Sequence, residues 1–106
     1  MKKVFDFKNK NELFPTIIQD NKTNEILMLG YMNKEAFEKT RKDGFVYFWS
    51  RSRKKLWMKG ETSGNKLRVK NIFTDCDWDT LLITVEVLGN FVCHKGTRSC
   101  FTQKIL

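Results

Sequence analysis

Three sets of side chains in this sequence have types and spacing suited to chemistry. The first is in residues 74–80, TDCDWDT, where Asp75, Asp77 and Asp79 stand at alternate positions around Cys76. On an extended backbone alternate side chains share a face, with neighbours about 7 Å apart. Carboxylates gathered that closely repel one another and need a positive partner. A hard cation such as Mg2+, which takes oxygen donors, is one candidate. The lysines and arginines of the chain itself are the other. Acids also fall at positions 1, 3, 5 and 12 of a calcium loop counted from Asp75 to Glu86. That loop needs glycine at its sixth position, where Thr80 stands, and helices on both sides, where the sequence reads as strand. The EF-hand reading is therefore set aside, with Glu86 placed inside a strand.

The second set is the thiols, Cys76, Cys93 and Cys100, with His94 beside the middle one. An odd number of cysteines without an export signal argues against a disulfide framework. Buried free thiols are one explanation. Thiolate is also a soft ligand suited to zinc, and a catalytic zinc takes three protein ligands and keeps one place for water. His94 is the single histidine. On extended backbone its side chain diverges from that of Cys93, so an acid–base role suits it better than ligation. An exposed histidine without a role fits its position equally.

The third set is the basic stretch 50–65, SRSRKKLWMKGETSGN. Arg51 and Arg53 flank Ser52, and Lys54, Lys55 and Lys59 follow. Guanidinium forks match phosphate oxygens and hydroxyls add donors. The glycines and hydroxyls of GETSG let a ligand approach the backbone closely, and Trp49 and Trp57 offer faces for a base. A nucleotide pocket, a nucleic-acid surface and a solvated basic loop all fit these residues.

Elements must hold these groups in place. Residues 16–20, after Pro15, and 25–31 read as a β-hairpin closed by a polar turn. Asn33 is a good helix N-cap, Glu35 sits where the helix dipole favours an anion, and Gly44 is a stop, which predicts one helix over Lys34–Asp43. FVYFW at 45–49 and KLRVKNIF at 66–73 read as strands. LLITVEVL at 81–88 is apolar almost throughout and belongs at the centre of a sheet. Residues 50–65 and 93–100 carry no clear element and read as loops on a rigid sheet, where binding groups collect. The whole predicts an α+β domain, mostly antiparallel sheet with one main helix.

The chain has 106 residues, enough for one domain over 1–106. No apolar run approaches the length of a membrane span, and MKKVFDFKNK lacks the apolar stretch of a secretory signal. A cytoplasmic protein without membrane contact is expected. Twenty basic against 12 acidic residues give a net charge of +8, which favours an anionic partner without choosing one.

Residues 49–65 (WSRSRKKLWMKGETSGN), DCDWD and CHKGTRSCF resemble the three signature blocks of the phosphoribosyl-AMP cyclohydrolase family. FPTIIQD, EILMLGYMNKEAFEKT and the later strand follow the family pattern in the same order, so the resemblance covers nearly the whole chain. It departs at Lys95, where threonine is usual, and at Thr102, often an aromatic. The resemblance implies hydrolytic opening of the adenine ring of phosphoribosyl-AMP at its N1–C6 bond. The product is the formimino-carboxamide ribonucleotide of the third step of histidine biosynthesis. It implies that Cys76, Cys93 and Cys100 bind one zinc per subunit, whose bound hydroxide is the nucleophile, with His94 moving a proton. Asp75, Asp77 and Asp79 would bind magnesium. Trp49, Arg51, Ser52, Arg53, Lys59, Glu61, Thr62 and Ser63 would contact the nucleotide. It further implies an intertwined homodimer that shares its zinc ligands between chains. Some relatives carry a fused pyrophosphohydrolase domain, which is not expected here. The rival reading from the residues is a zinc-stabilised nucleic-acid-binding module, but the small nucleotide is preferred and no nucleic-acid partner is expected.

Overall fold

Residues 14–20 bury every second side chain, Phe14, Thr16, Ile18 and Asp20, as a strand with one face on a core must. The computed structural model describes residues 12–106; the amino-terminal stretch read above for a signal lies outside the described residues. Strand β1 (Phe14–Asp20) turns back into β2 (Ile26–Met32). The turn is closed by the Asp20 carboxylate, whose Oδ1 accepts from the Lys22 and Thr23 amides at 2.7 and 3.2 Å.

Helix α1 (Lys34–Asp43) begins and ends where its caps dictate. Asn33 Oδ1 accepts from the Ala36 amide at 2.9 Å, and Gly44 takes the left-handed conformation (φ 85°) that ends the helix. Its inner face is Ala36, Phe37 and Thr40. The Thr40 hydroxyl accepts from the Tyr47 amide at 3.0 Å and so fixes the start of β3 (Tyr47–Ser50). Phe45 stands outside that strand, in an isolated bridge to Arg68. The expected strand at 45–49 is thus shifted by the helix stop at Gly44. β4 (Lys55–Met58) pairs antiparallel with β3 in a small sheet of its own.

The main sheet runs β2-β1-β6-β5, with β5 (Lys66–Thr74) and β6 (Leu81–Leu88) forming the second hairpin. β6 is central, as its apolar run predicts. It lies parallel to β1, with Thr16 opposite Leu81, while the other pairings are antiparallel. Glu86 lies in β6 and pairs with Arg68 across the hairpin at 3.4 Å. The core is built from Ile18, Leu27, Met32, Val46, Phe48, Leu67 and Ile83, all essentially inaccessible to solvent. Gly30 admits Phe48, since a Cβ there would come within 2.5 Å of the ring. Among the described residues no helix is long and apolar enough to cross a membrane.

Candidate active site

The stretch 50–65, read as loop, contains β4. Lys54 takes a left-handed turn conformation (φ 51°) between the two short strands, although it is not a glycine. The stretch then closes over a hollow of about 750 Å3 whose opposite wall is residues 91–94. Ser52, Arg53, Lys59, Glu61, Thr62 and Ser63 line one side, and Cys93 and His94 line the other. Six of the eight expected nucleotide contacts therefore meet the expected acid–base group in one cavity. Trp49 and Arg51 face elsewhere. They line a neighbouring hollow, and the Arg51 guanidinium lies 4.2 Å from the centre of the Tyr31 ring. Trp57 borders both hollows and packs against Phe48.

One asparagine joins the two walls. Asn65 Oδ1 accepts from the Asn90 amide at 3.3 Å. A Cβ on Gly89 would come within 1.8 Å of that oxygen, and one on Gly60 within 2.4 Å of the Asn65 carbonyl. Both glycines are therefore required by the close approach of Asn65. Phe91, which lines the cavity just beyond this contact, carries no chemical signal in the sequence and was missed there.

The thiols divide two and one. The Cys93 sulfur is buried. The Lys95 amide, the Thr97 side chain and the Cys100 thiol lie beside it, with the Lys59 charge nearby. Together these lower its pKa below the ordinary thiol value against the opposing effect of burial. Cys100 moves the other way, raised by burial and then by its contact with Cys93. A buried thiol that favours thiolate beside a second thiol suits a soft cation. Cys76 is exposed in the β5–β6 turn, whereas residues 93–100 follow the far end of β6. The three sulfurs do not lie within metal-ligand distance of one another, since among the described residues only the aspartates form such a cluster. Within one chain, then, only two of the three thiols come together.

The three aspartates do converge, though not by the expected alternation of an extended strand. The chain must reverse within residues 75–80 to join β5 to β6, and Trp78 takes a left-handed conformation (φ 61°) to do so. The turn is tied internally. Asp75 Oδ1 accepts from the Asp79 and Thr80 amides at 3.1 and 3.3 Å, and the Thr74 hydroxyl donates to the Thr80 carbonyl at 3.1 Å. One oxygen from each of Asp75, Asp77 and Asp79 lies within 4.8 Å of the others. Amide donors hold the Asp75 pKa below the ordinary carboxylate value, while contact with Asp75 raises that of Asp79. Among the described residues none of the three forms an ion pair with lysine or arginine. The cations of the described residues thus form no ion pair with this acidic cluster, and its oxygen donors suit a hard divalent ion.

These features define an α+β domain with a nucleotide-sized cavity between a basic segment and a thiol-bearing loop. The model of the family described as phosphoribosyl-AMP cyclohydrolase matches residues 28–102, which include all three site segments. A phosphoribosyl-AMP cyclohydrolase of Clostridium botulinum (strain Kyoto / Type A2) is 59% identical over 104 residues, covering 98% of this chain and 94% of its own. One from Solibacter usitatus (strain Ellin6076) is 54% identical over 100 residues, covering 94% of this chain and 79% of its own. The histidine biosynthesis bifunctional protein HisIE of Buchnera aphidicola subsp. Schizaphis graminum (strain Sg) is 59% identical over 99 residues; the match takes in 93% of this chain but 47% of that longer protein. The chain belongs to the phosphoribosyl-AMP cyclohydrolase family.

Proposed function

We propose that this chain opens the adenine ring of phosphoribosyl-AMP by hydrolysis at the N1–C6 bond, a step of histidine biosynthesis. The observation that carries the reading is one cavity in which Ser52, Arg53 and Lys59 face Cys93 and His94. Its volume of about 750 Å3 suits a nucleotide-sized ligand.

Arg53 and Lys59 hold a substrate phosphate, with hydroxyl donors from Ser52, Thr62 and Ser63. Trp57 offers a face to the base. His94, exposed at the cavity wall, gives a proton to N1 as the N1–C6 bond breaks, so that N1 leaves as a neutral nitrogen. Cys93 and Cys100 are two ligands of a zinc ion, and Cys76 from a second copy of the chain is the third, which makes the working unit a homodimer. Zinc, when bound, supplies Lewis-acid activation of water, lowering its pKa to about 7. Asp75, Asp77 and Asp79 hold magnesium, which would help to neutralise and place a substrate phosphate. Arg51 and Trp49 serve substrate from the adjoining hollow.

The test combines elemental analysis with the ultraviolet absorbance of phosphoribosyl-AMP. The purified protein should carry zinc, change the absorbance of this substrate, and stop doing so after exhaustive chelation. Full turnover by chelated, zinc-free protein overturns the metal reading, and no turnover by the metal-replete protein overturns the activity.

A further inference from the structure

We infer that Arg98 is a positioning residue that holds the two-thiol loop in its metal-ready shape by clamping it to the turn between β1 and β2. The inference rests on the reading of Cys93 and Cys100 as metal ligands.

Asp20 is a carboxylate with only 4% of its surface exposed, at the end of β1. A buried carboxylate needs full compensation. Its Oδ1 is taken by the Lys22 and Thr23 amides, and its Oδ2 accepts from Arg98 Nη2. The same guanidinium donates through Nε to Glu25 Oε1 at 3.0 Å. One planar fork thus bridges two acids on either side of the turn. Lysine, a point donor, cannot reproduce that bridge.

The clamp continues through the next two residues. The Ser99 hydroxyl donates to the Ile26 carbonyl at 2.7 Å, and the Cys100 amide donates to the Leu27 carbonyl at 2.7 Å. Arg98, Ser99 and Cys100 are therefore fastened in succession to Asp20, Glu25, Ile26 and Leu27. At the other end of the loop the Val92 amide donates to the Thr97 and Arg98 carbonyls, and the Cys93 amide to the Thr97 carbonyl. Fixing Arg98 and Cys100 consequently fixes Cys93 as well. Ligands held ready cost less to order when the ion arrives, and outer partners of this kind typically change metal affinity by about 10–100-fold.

The test uses full-length Arg98→Met, Asp20→Asn and the double variant. Asn at position 20 keeps an acceptor for the turn amides but removes the charge facing Arg98. Two readouts are taken. Zinc retention is measured by competition with a chromogenic chelator. Amide hydrogen exchange of the metal-free protein is compared between Cys93 or Cys100 and the central-strand residues Ile18 and Ile83. Each single variant should release zinc about tenfold more readily and speed exchange at Cys93 and Cys100 by a clearly larger factor than at Ile18 and Ile83. The double variant should do little more than either alone. Arg98→Lys should not restore wild-type retention. Unchanged retention and unchanged loop exchange in Arg98→Met overturn the inference. So does equal acceleration at Ile18 and Ile83, which would make Arg98 a general stability residue. If Arg98→Met does not fold, the milder Glu25→Gln decides: faster exchange confined to the loop supports the clamp, and no change overturns it. Wild-type protein that binds no zinc sinks the ligand reading alone, since loop exchange still reports on the clamp.

Discussion

The turn at 75–80 and the loop at 93–100 both crowd carboxylates or thiols after a strand of the same hairpin, yet they are held in opposite ways. The acidic turn is tied locally, from Asp75 to Asp79 and Thr80 and from Thr74 to Thr80. The thiol loop depends on Asp20, Glu25, Ile26 and Leu27, more than seventy positions upstream. The turn takes its shape as soon as its hairpin exists. The loop has its shape only after the first hairpin has docked beside it. A hard cation with adaptable coordination tolerates the first arrangement, whereas a tetrahedral soft site benefits from the second.

The sharpest attack on this contrast is Cys93→Ser, which should reduce bound zinc to a trace and ring opening by at least about 100-fold. Elemental analysis beside a turnover assay checks both. A variant that keeps its zinc would remove the loop from the soft site altogether. Next is His94→Ala, for which kcat should fall by roughly 10²–10⁴ with zinc content intact. Loss of zinc would instead make His94 a ligand.

Asp20→Asn addresses the loop's remote anchor and should cost about 2 kcal/mol in urea unfolding near neutral pH. Burial raises the Asp20 pKa, but the two turn amides and Arg98 outweigh it, so the folded value lies below the ordinary one. As pH falls below the ordinary carboxylate value of 3.8, the unfolded chain takes up the proton first. The stabilisation is therefore complete above that value and is lost as pH drops through the folded pKa. Wild type and variant should converge in acid; a constant gap would deny the charge its role. The mildest change is Asp75→Asn, which retains an acceptor for the Asp79 and Thr80 amides. Stability should change little, since the turn amides keep an acceptor, while Asp79, freed from a charged neighbour, should titrate lower in a carbon-detected NMR experiment. An unmoved Asp79 would mean that the two carboxyls do not sense each other.

This contrast also explains what could be read from the residues alone. Asn33 and Gly44 bound the helix because capping is local, and the uninterrupted apolar run of β6 marked it as central. The acidic cluster was legible as a cluster, but its mechanism was not. Trp78 at positive φ makes the reversal without the glycine that would announce it, and Lys54 does the same between β3 and β4. The division between Arg53 in the cavity and Arg51 over Tyr31 depends on how that second turn projects its side chains, which alternation along a strand does not specify. Arg98 read only as one more cation in CHKGTRSC, since its partners lie 73 and 78 positions away.

The parallel neighbourhood of β1 and β6 has a consequence for how the molecule is made. A ribosome delivers the first hairpin early, but one flank of β1 must wait for Leu81 and its successors before it can pair. Until then the nascent chain presents an unsatisfied apolar strand edge, open to mispairing with a neighbour. Production at low temperature or with holdase chaperones should therefore raise the soluble yield, because such conditions shelter β1 until β6 arrives.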